Sequence, residues 1–203
     1  MKKNLLKLII VLSFGFIFLN GQTANAQSYK EGDNLIHVGI GFPSLYSESV
    51  SGLTGATTSG IPPVYGSFEH GINEHWSVGG YLAYTSQSVR FPATFVDPNT
   101  YAITTGTQGW DLSIFVIGVT GDYHFATGDA FDPYVGAMVG YGIVSNNGYS
   151  SDPNNPYTGF GSVAARAFFI HIGANYYFTD SFGIHAELGY GLSLVNIGAS
   201  LKF

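Results

Sequence analysis

The sequence predicts one all-β domain, an eight-stranded antiparallel up-and-down transmembrane β-barrel over residues 34–203. Three observations predict it. Apolar residues alternate with small or polar ones in eight separate segments. The links between those segments alternate between short and long. Charged residues make up only 10 % of the chain, while aromatics reach 16 % and glycine 28 residues; ordinary soluble domains carry roughly a quarter charged residues. After residue 26 no apolar run approaches the about 20 residues that a spanning helix needs.

The N-terminus, MKKNLLKLIIVLSFGFIFLNGQTANAQ, reads as a secretory signal peptide over residues 1–26. Lys2, Lys3 and Lys7 form its basic start, Leu8 to Leu19 its apolar stretch, and Ala24-Asn25-Ala26 its cleavage site. The apolar stretch is too short to cross a bilayer about 30 Å thick. The barrel domain is therefore expected in 27–203, exported to the cell outer membrane. Four basic residues, Lys30, Arg90, Arg166 and Lys202, then face thirteen acids, nine net negative charges. That balance gives no footprint for nucleic acid. The chain has no cysteine, which excludes disulfides, thiolate-bound metal and a cysteine nucleophile.

The segments follow in order. NLIHVGIGF (34–42) sets Ile36, Val38, Ile40 and Phe42 against His37, Gly39 and Gly41. VYGSFEHGI (64–72) is less regular. WSVGGYLAY (76–84) groups Trp76, Val78, Leu82 and Tyr84 opposite Ser77, Gly79 and Tyr81. LSIFVIGVTGDYHF (112–125) turns Phe115, Ile117, Val119, Tyr123 and Phe125 away from Thr120, Asp122 and His124. PYVGAMVGYGI (133–143) and FFIHIGANYYF (168–178) repeat the pattern, the second with His171, Gly173 and Asn175 on its polar face. FGIHAELGYG (182–191) puts His185, Glu187 and Gly189 there. In VNIGASLKF (195–203), Val195, Ile197, Ala199, Leu201 and Phe203 alternate with Asn196, Gly198, Ser200 and Lys202. A period of two is that of a strand with two chemically different faces. Nine to eleven tilted residues are what a bilayer asks of it.

Short links are expected at 73–75, 126–132 and 179–181, and long loops at 43–63, 85–111 and 144–167. Short turns on one side and long loops on the other is the layout of an outer-membrane barrel, with the short turns toward the periplasm. The last two segments meet near Leu192-Ser193, so this link alone is short on the long-loop side. The apolar face is assigned to lipid. The opposite face of Gly, Ser, Asn and His cannot keep a soluble surface charged, but it suits a narrow interior. Trp76, Tyr123, Phe125, Tyr176, Phe178, Phe182 and Phe203 near the short turns, and Phe42, Tyr84, Phe115, Tyr141, Phe168 and Tyr190 near the other rim, form two aromatic girdles.

On the signal peptide, the eight segments, the FEHGINEHWSVGGYLAY hairpin and the terminal GASLKF, the chain resembles the small outer-membrane barrels of the OmpA/OmpX-like superfamily. The processing site followed by Gln27 is similar to that of exported Bacteroidetes proteins. The resemblance implies recognition of Phe203 by the barrel-assembly machinery, and lipopolysaccharide and outer-membrane lipid as surroundings. With the final strand closing the chain, a peptidoglycan-binding domain of the full-length OmpA kind is not expected.

The ionisable residues of the polar faces are the candidate site. Pairing across the 179–181 turn sets Gly173 opposite Glu187 and Asn175 opposite His185, with His171, His185 and Glu187 in diagonal reach. A proton-linked gate, a metal site or an acid–base pair would use such groups. A buried polar network, with Glu187 accepting imidazole N–H bonds, is the reading preferred, because small barrels must be filled by such residues. Lys202, Glu69, Asp122 and His124 form a second inward set, read as charge pairs. No cofactor is implied. GFGSVA (159–164) lacks the strand-to-helix context of nucleotide binding. Asp97, Asp111, Asp129 and Asp152 are not spaced as a calcium loop, and His70 and His75 flank a turn without metal geometry. The function expected is structural and surface-interacting, through an unidentified extracellular partner at the loops. A narrow channel or lateral route for small apolar molecules is the alternative. A lipid-modifying enzyme ranks last, since His171 has no serine on its face.

Overall fold

The computed structural model describes residues 29–45, 55–97, 99–125, 130–154 and 156–203; residues 1–26, expected to be a signal peptide, and Asp129 lie outside them. The strands are β1 (Asn34–Ser44), β2 (Thr57–Gly71), β3 (Trp76–Val96), β4 (Ile103–His124), β5 (Phe131–Ser150), β6 (Gly161–Tyr177), β7 (Phe182–Tyr190) and β8 (Ser193–Lys202). Each pairs antiparallel with the next, and β8 returns to β1 through Leu35↔Lys202, His37↔Ser200 and Gly39↔Gly198. The result is a closed up-and-down barrel. Closure leaves no full-length strand edge open to pairing with another molecule.

Burial follows the alternation. Val38, Ile40, Leu82, Ile117, Val139, Ile172, Ile184 and Leu188 are exposed on the outside. His37, Glu69, Ser77, Asp122, His124, Asn175, His185, Glu187, Ser200 and Lys202 are buried within. This inverts the soluble pattern, in which polar groups take the outside.

Three expected loops are shorter than the sequence suggests. β3 and β4 are 21 and 22 residues long, so most of 85–111 is a ladder running to Val96↔Ile103. β5 continues to Ser150, β6 begins at Gly161, and β2 begins at Thr57. The reason is composition: Thr, Val, Ile and Phe in 85–111 favour strands, but the buried face carries Thr85 and Gln87 as well as Val89 and Phe95, so the apolar–polar alternation fades. β2 is irregular between Ile61 and Val64, where Pro62 and Pro63 bring no N–H to the ladder. By contrast β7 and β8 are 9 and 10 residues long and are joined by Gly191 and Leu192 alone. The outer wall is therefore uneven: tall from β3 to β5, low at β7–β8.

Candidate functional site

The interior divides along its axis. Toward the long hairpins it is apolar: Tyr65, Ala83, Ile114, Val116, Met138 and Leu192 pack together, with Tyr81, Leu112, Val144, Ala167 and Phe169 against them. A uniformly polar lumen was the expectation, and the outer half departs from it. The signal was present in LSIFVIGV, where Ile114 and Val116 make the second face apolar as well.

Toward the short turns the lumen is a hydrogen-bonded network. The Tyr65 hydroxyl bonds His185 Nε2. His185 Nδ1 lies 3.0 Å from Ser200 Oγ, which donates to Asn175 Oδ1 at 2.7 Å. Asn175 Nδ2 donates to Asp132 Oδ2 (3.0 Å), and His124 Nδ1 is 2.8 Å from Asp132 Oδ1. His124 Nε2 is 3.2 Å from Ser77 Oγ, which donates to Glu69 Oε2 at 2.7 Å. Ser67 Oγ donates to Glu69 Oε1 (3.0 Å) and lies 3.3 Å from His37 Nδ1. This chain of contacts takes at least one residue from each of the eight strands, so it ties the wall together across its own interior. Most of its polar atoms are paired, which is what makes a buried network stabilising; His37 Nε2 is buried without a hydrogen-bond partner.

Two further pairs cross the lumen. His171 Nε2 is 3.0 Å from Asp122 Oδ1, and the Tyr134 hydroxyl donates to Glu187 Oε1 at 2.9 Å while Asn196 Nδ2 donates to Oε2 at 3.1 Å. Glycine makes these contacts possible. In register, Gly136 sits between Asp122 on β4 and His171 on β6, and a Cβ there would meet both side chains. Gly173 stands likewise between Tyr134 and Glu187, 2.7 and 2.9 Å from a Cβ built on it. The Tyr65–His185 bond passes over Gly39 and Gly198. Partners two or three strands apart meet because the residue between them has no side chain.

The pairs Gly173↔Glu187 and Asn175↔His185 are found in register. His171, His185 and Glu187 do not bond to one another, however, and Glu187 serves Tyr134 and Asn196 in place of imidazoles. In the second set Glu69 takes Ser67 and Ser77, with His37 Nδ1 at 3.6 Å. Asp122 takes His171, His124 takes Asp132, and Lys202 Nζ lies 4.4 Å from the Tyr177 ring centre. The sequence reading missed Tyr65, Tyr134 and Asp132, the last because GDAFDP reads as a turn.

The short-turn end is covered by Tyr29, fully buried. Its ring stacks on His124 at 3.8 Å, and its hydroxyl reaches the carbonyls of Asn73 (2.8 Å) and Trp76. Burial holds that hydroxyl well above its ordinary pKa, so it remains a donor. His70 and His75 bond Asn34 and the His124 carbonyl separately.

Asp132–His124–Ser77 has the connectivity of a hydrolytic triad, but Ser77 is 1 % exposed and its proton goes to Glu69. A nucleophile needs both access and a base to receive its proton. Among the described residues one small cavity, of about 30 Å³, reaches from Glu69 and Asp122 to Leu192, about the share of one water. The space over Gly39 and Gly136 is taken by Tyr65, Asp122 and His171.

Apolar outside, hydrogen-bonded inside and closed by eight antiparallel strands, the molecule has the architecture of the small outer-membrane barrels. Among solved structures it is similar to the outer membrane protein OprG from Pseudomonas aeruginosa, with a TM-score of 0.53 and 12% identity, over 89% of this chain and 99% of that one. The N-terminal β-barrel domain of Pseudomonas aeruginosa OprF matches at 17% identity and TM-score 0.47, covering 86% of this chain and 100% of that one. Ail, the attachment invasion locus protein of Yersinia pestis, matches at 15% and 0.46, covering 85% and 99%. No protein-family model and no curated protein matches the chain. The likeness is one of fold.

Proposed function

We propose that this chain is an integral outer-membrane barrel with a structural and surface-interaction role, its lumen filled by side chains. The network drawn from all eight strands carries the reading. It crosses the axis that a pore would need, and a small cavity of about 30 Å³ lies beside it. The exposed band of Val, Ile, Leu and Phe would be a large aggregation surface in water but is matched to lipid. Strands β7 and β8, at 9 and 10 residues, suit a tilted crossing of a band about 25 Å tall. The taller β3–β4 and β5–β6 hairpins would then stand outside, where Arg90 pairs with Asp111 at 2.8 Å and lies over Tyr149. Asp97 accepts the N–H groups of Asn99 and Thr100 in the turn, which hold its carboxyl below the usual range. These stiff hairpins are the surface offered to an extracellular partner. Phe203, exposed at the end of β8, is assigned to recognition by the assembly machinery, and no catalytic role is assigned.

Transport is the second reading. It is favoured by the apolar outer half of the lumen, which lies behind the low Gly191–Leu192 rim; in this reading small apolar molecules would leave over that rim. Planar-bilayer recording of the refolded protein separates the two. Silence at moderate voltage is expected for the filled lumen, and steady unitary openings would move the assignment to transport.

A further inference from the structure

Arg166 is exposed on the outward face of β6. It lies opposite Tyr141 in the β5–β6 register and shares that residue's outward face, two residues beyond Phe168. Tyr141 and Phe168 are 61% and 59% exposed and belong to the outer aromatic girdle. One same-face step is roughly 7 Å of strand, so Arg166 stands level with Tyr141 and one step outside Phe168, at the outer girdle. The other outward-facing arginine, Arg90, is held by both oxygens of Asp111. Arg166 has no ion pair or hydrogen bond among the described residues. Its flank is also uncovered. β6 pairs with β7 only from Ile170↔Tyr190 inward, because β7 ends there, so the wall beside Arg166 is absent and a bulky group can approach from that side.

We propose that Arg166, with Phe168 one step below it, Tyr141 beside it in register and the open β6 flank on its other side, seats a phosphate of an outer-leaflet lipid headgroup. The inference rests on the membrane reading above and names one lipid contact within it. A guanidinium matches two phosphate oxygens at once. Its aliphatic stem can lie along the apolar band while the head stays at the boundary. The mature chain is strongly acidic, and of its two outward-facing arginines Arg166 is the one without an ion pair among the described residues.

The test uses the refolded full barrel in nanodiscs, with folding of every variant first checked by heat-modifiable migration. Retention of diphosphoryl lipid A and of the same lipid stripped of its phosphates is read by native mass spectrometry. The wild type should prefer the phosphorylated lipid by about tenfold, the worth of one charge-assisted contact. Arg166→Gln should abolish most of that preference and Arg166→Lys should keep part of it. Lys30→Gln, which removes the same charge at the opposite end, should leave it intact. Equal retention of the two lipids by the wild type, or an unchanged preference in Arg166→Gln, would overturn the proposal. So would displacement of the lipid by inorganic phosphate at equal concentration, which would mark a free-anion site. A wild type that fails to fold in lipid refutes the membrane reading itself, a separate and recognisable outcome.

Discussion

Gly136 shows how much a missing side chain can determine. Its neighbours in register, Asp122 and His171, meet across it, so Gly136→Ala must push a buried carboxylate aside. Overpacking of this kind costs about 1–3 kcal/mol. Gly80, on the outer face with nothing within 4 Å of a built Cβ, is the control: Gly80→Ala should be close to neutral. Urea unfolding of both variants in lipid vesicles checks the contrast. Asp132 is the second residue to test, since it serves both His124 and Asn175. Asp132→Ala leaves those groups buried without their acceptor and should cost about 3–5 kcal/mol by the same measurement. Which residues face inward was legible from a period of two. Their partners were not, because Tyr65 reaches His185 across two intervening strands. Only neighbours across a short turn, such as Asn175 and His185, have a register that sequence alone constrains.

At the scale of the element, β8 states the two-faced rule most plainly. Ile197 and Leu201 are 42% and 44% exposed, whereas Ser200 and Lys202 are 0% and 5%. Register in such a strand is strongly specified, because a slip of one residue exchanges the faces. Ile197→Arg places a charge in mid-band and should cost about 2–4 kcal/mol, measured by unfolding in vesicles of fixed thickness. Ser200→Arg is limited by crowding against His185 and Asn175. The membrane-depth portions of the strands were legible, while the extensions of β3, β4 and β5 were not. Beyond the apolar band both faces carry polar residues, so Thr85, Ser86, Gln87 and Ser88 show no apolar–polar alternation in sequence although Thr85 and Gln87 are buried and the backbone pairs as regularly as before.

In the whole molecule one arrangement underlies the rest: the apolar face is turned outward, to lipid in the membrane reading, and the hydrogen-bonded face is the interior. Eight low-charge segments, short turns and a closed order β1 to β8 were readable in advance, since each follows from local pattern. The division of the interior into a polar and an apolar half was not, because it depends on how rows of residues from different strands align around the axis. The natural chain contains no cysteine, so single cysteines can be introduced one at a time from 195 to 203 without background. With a lipid-phase quencher acting on a fluorophore at each site, quenching should be strong at 195, 197, 199, 201 and 203 and weak at 196, 198, 200 and 202. Alternation in the opposite phase, or none, would contradict the barrel's orientation and with it the account of its interior.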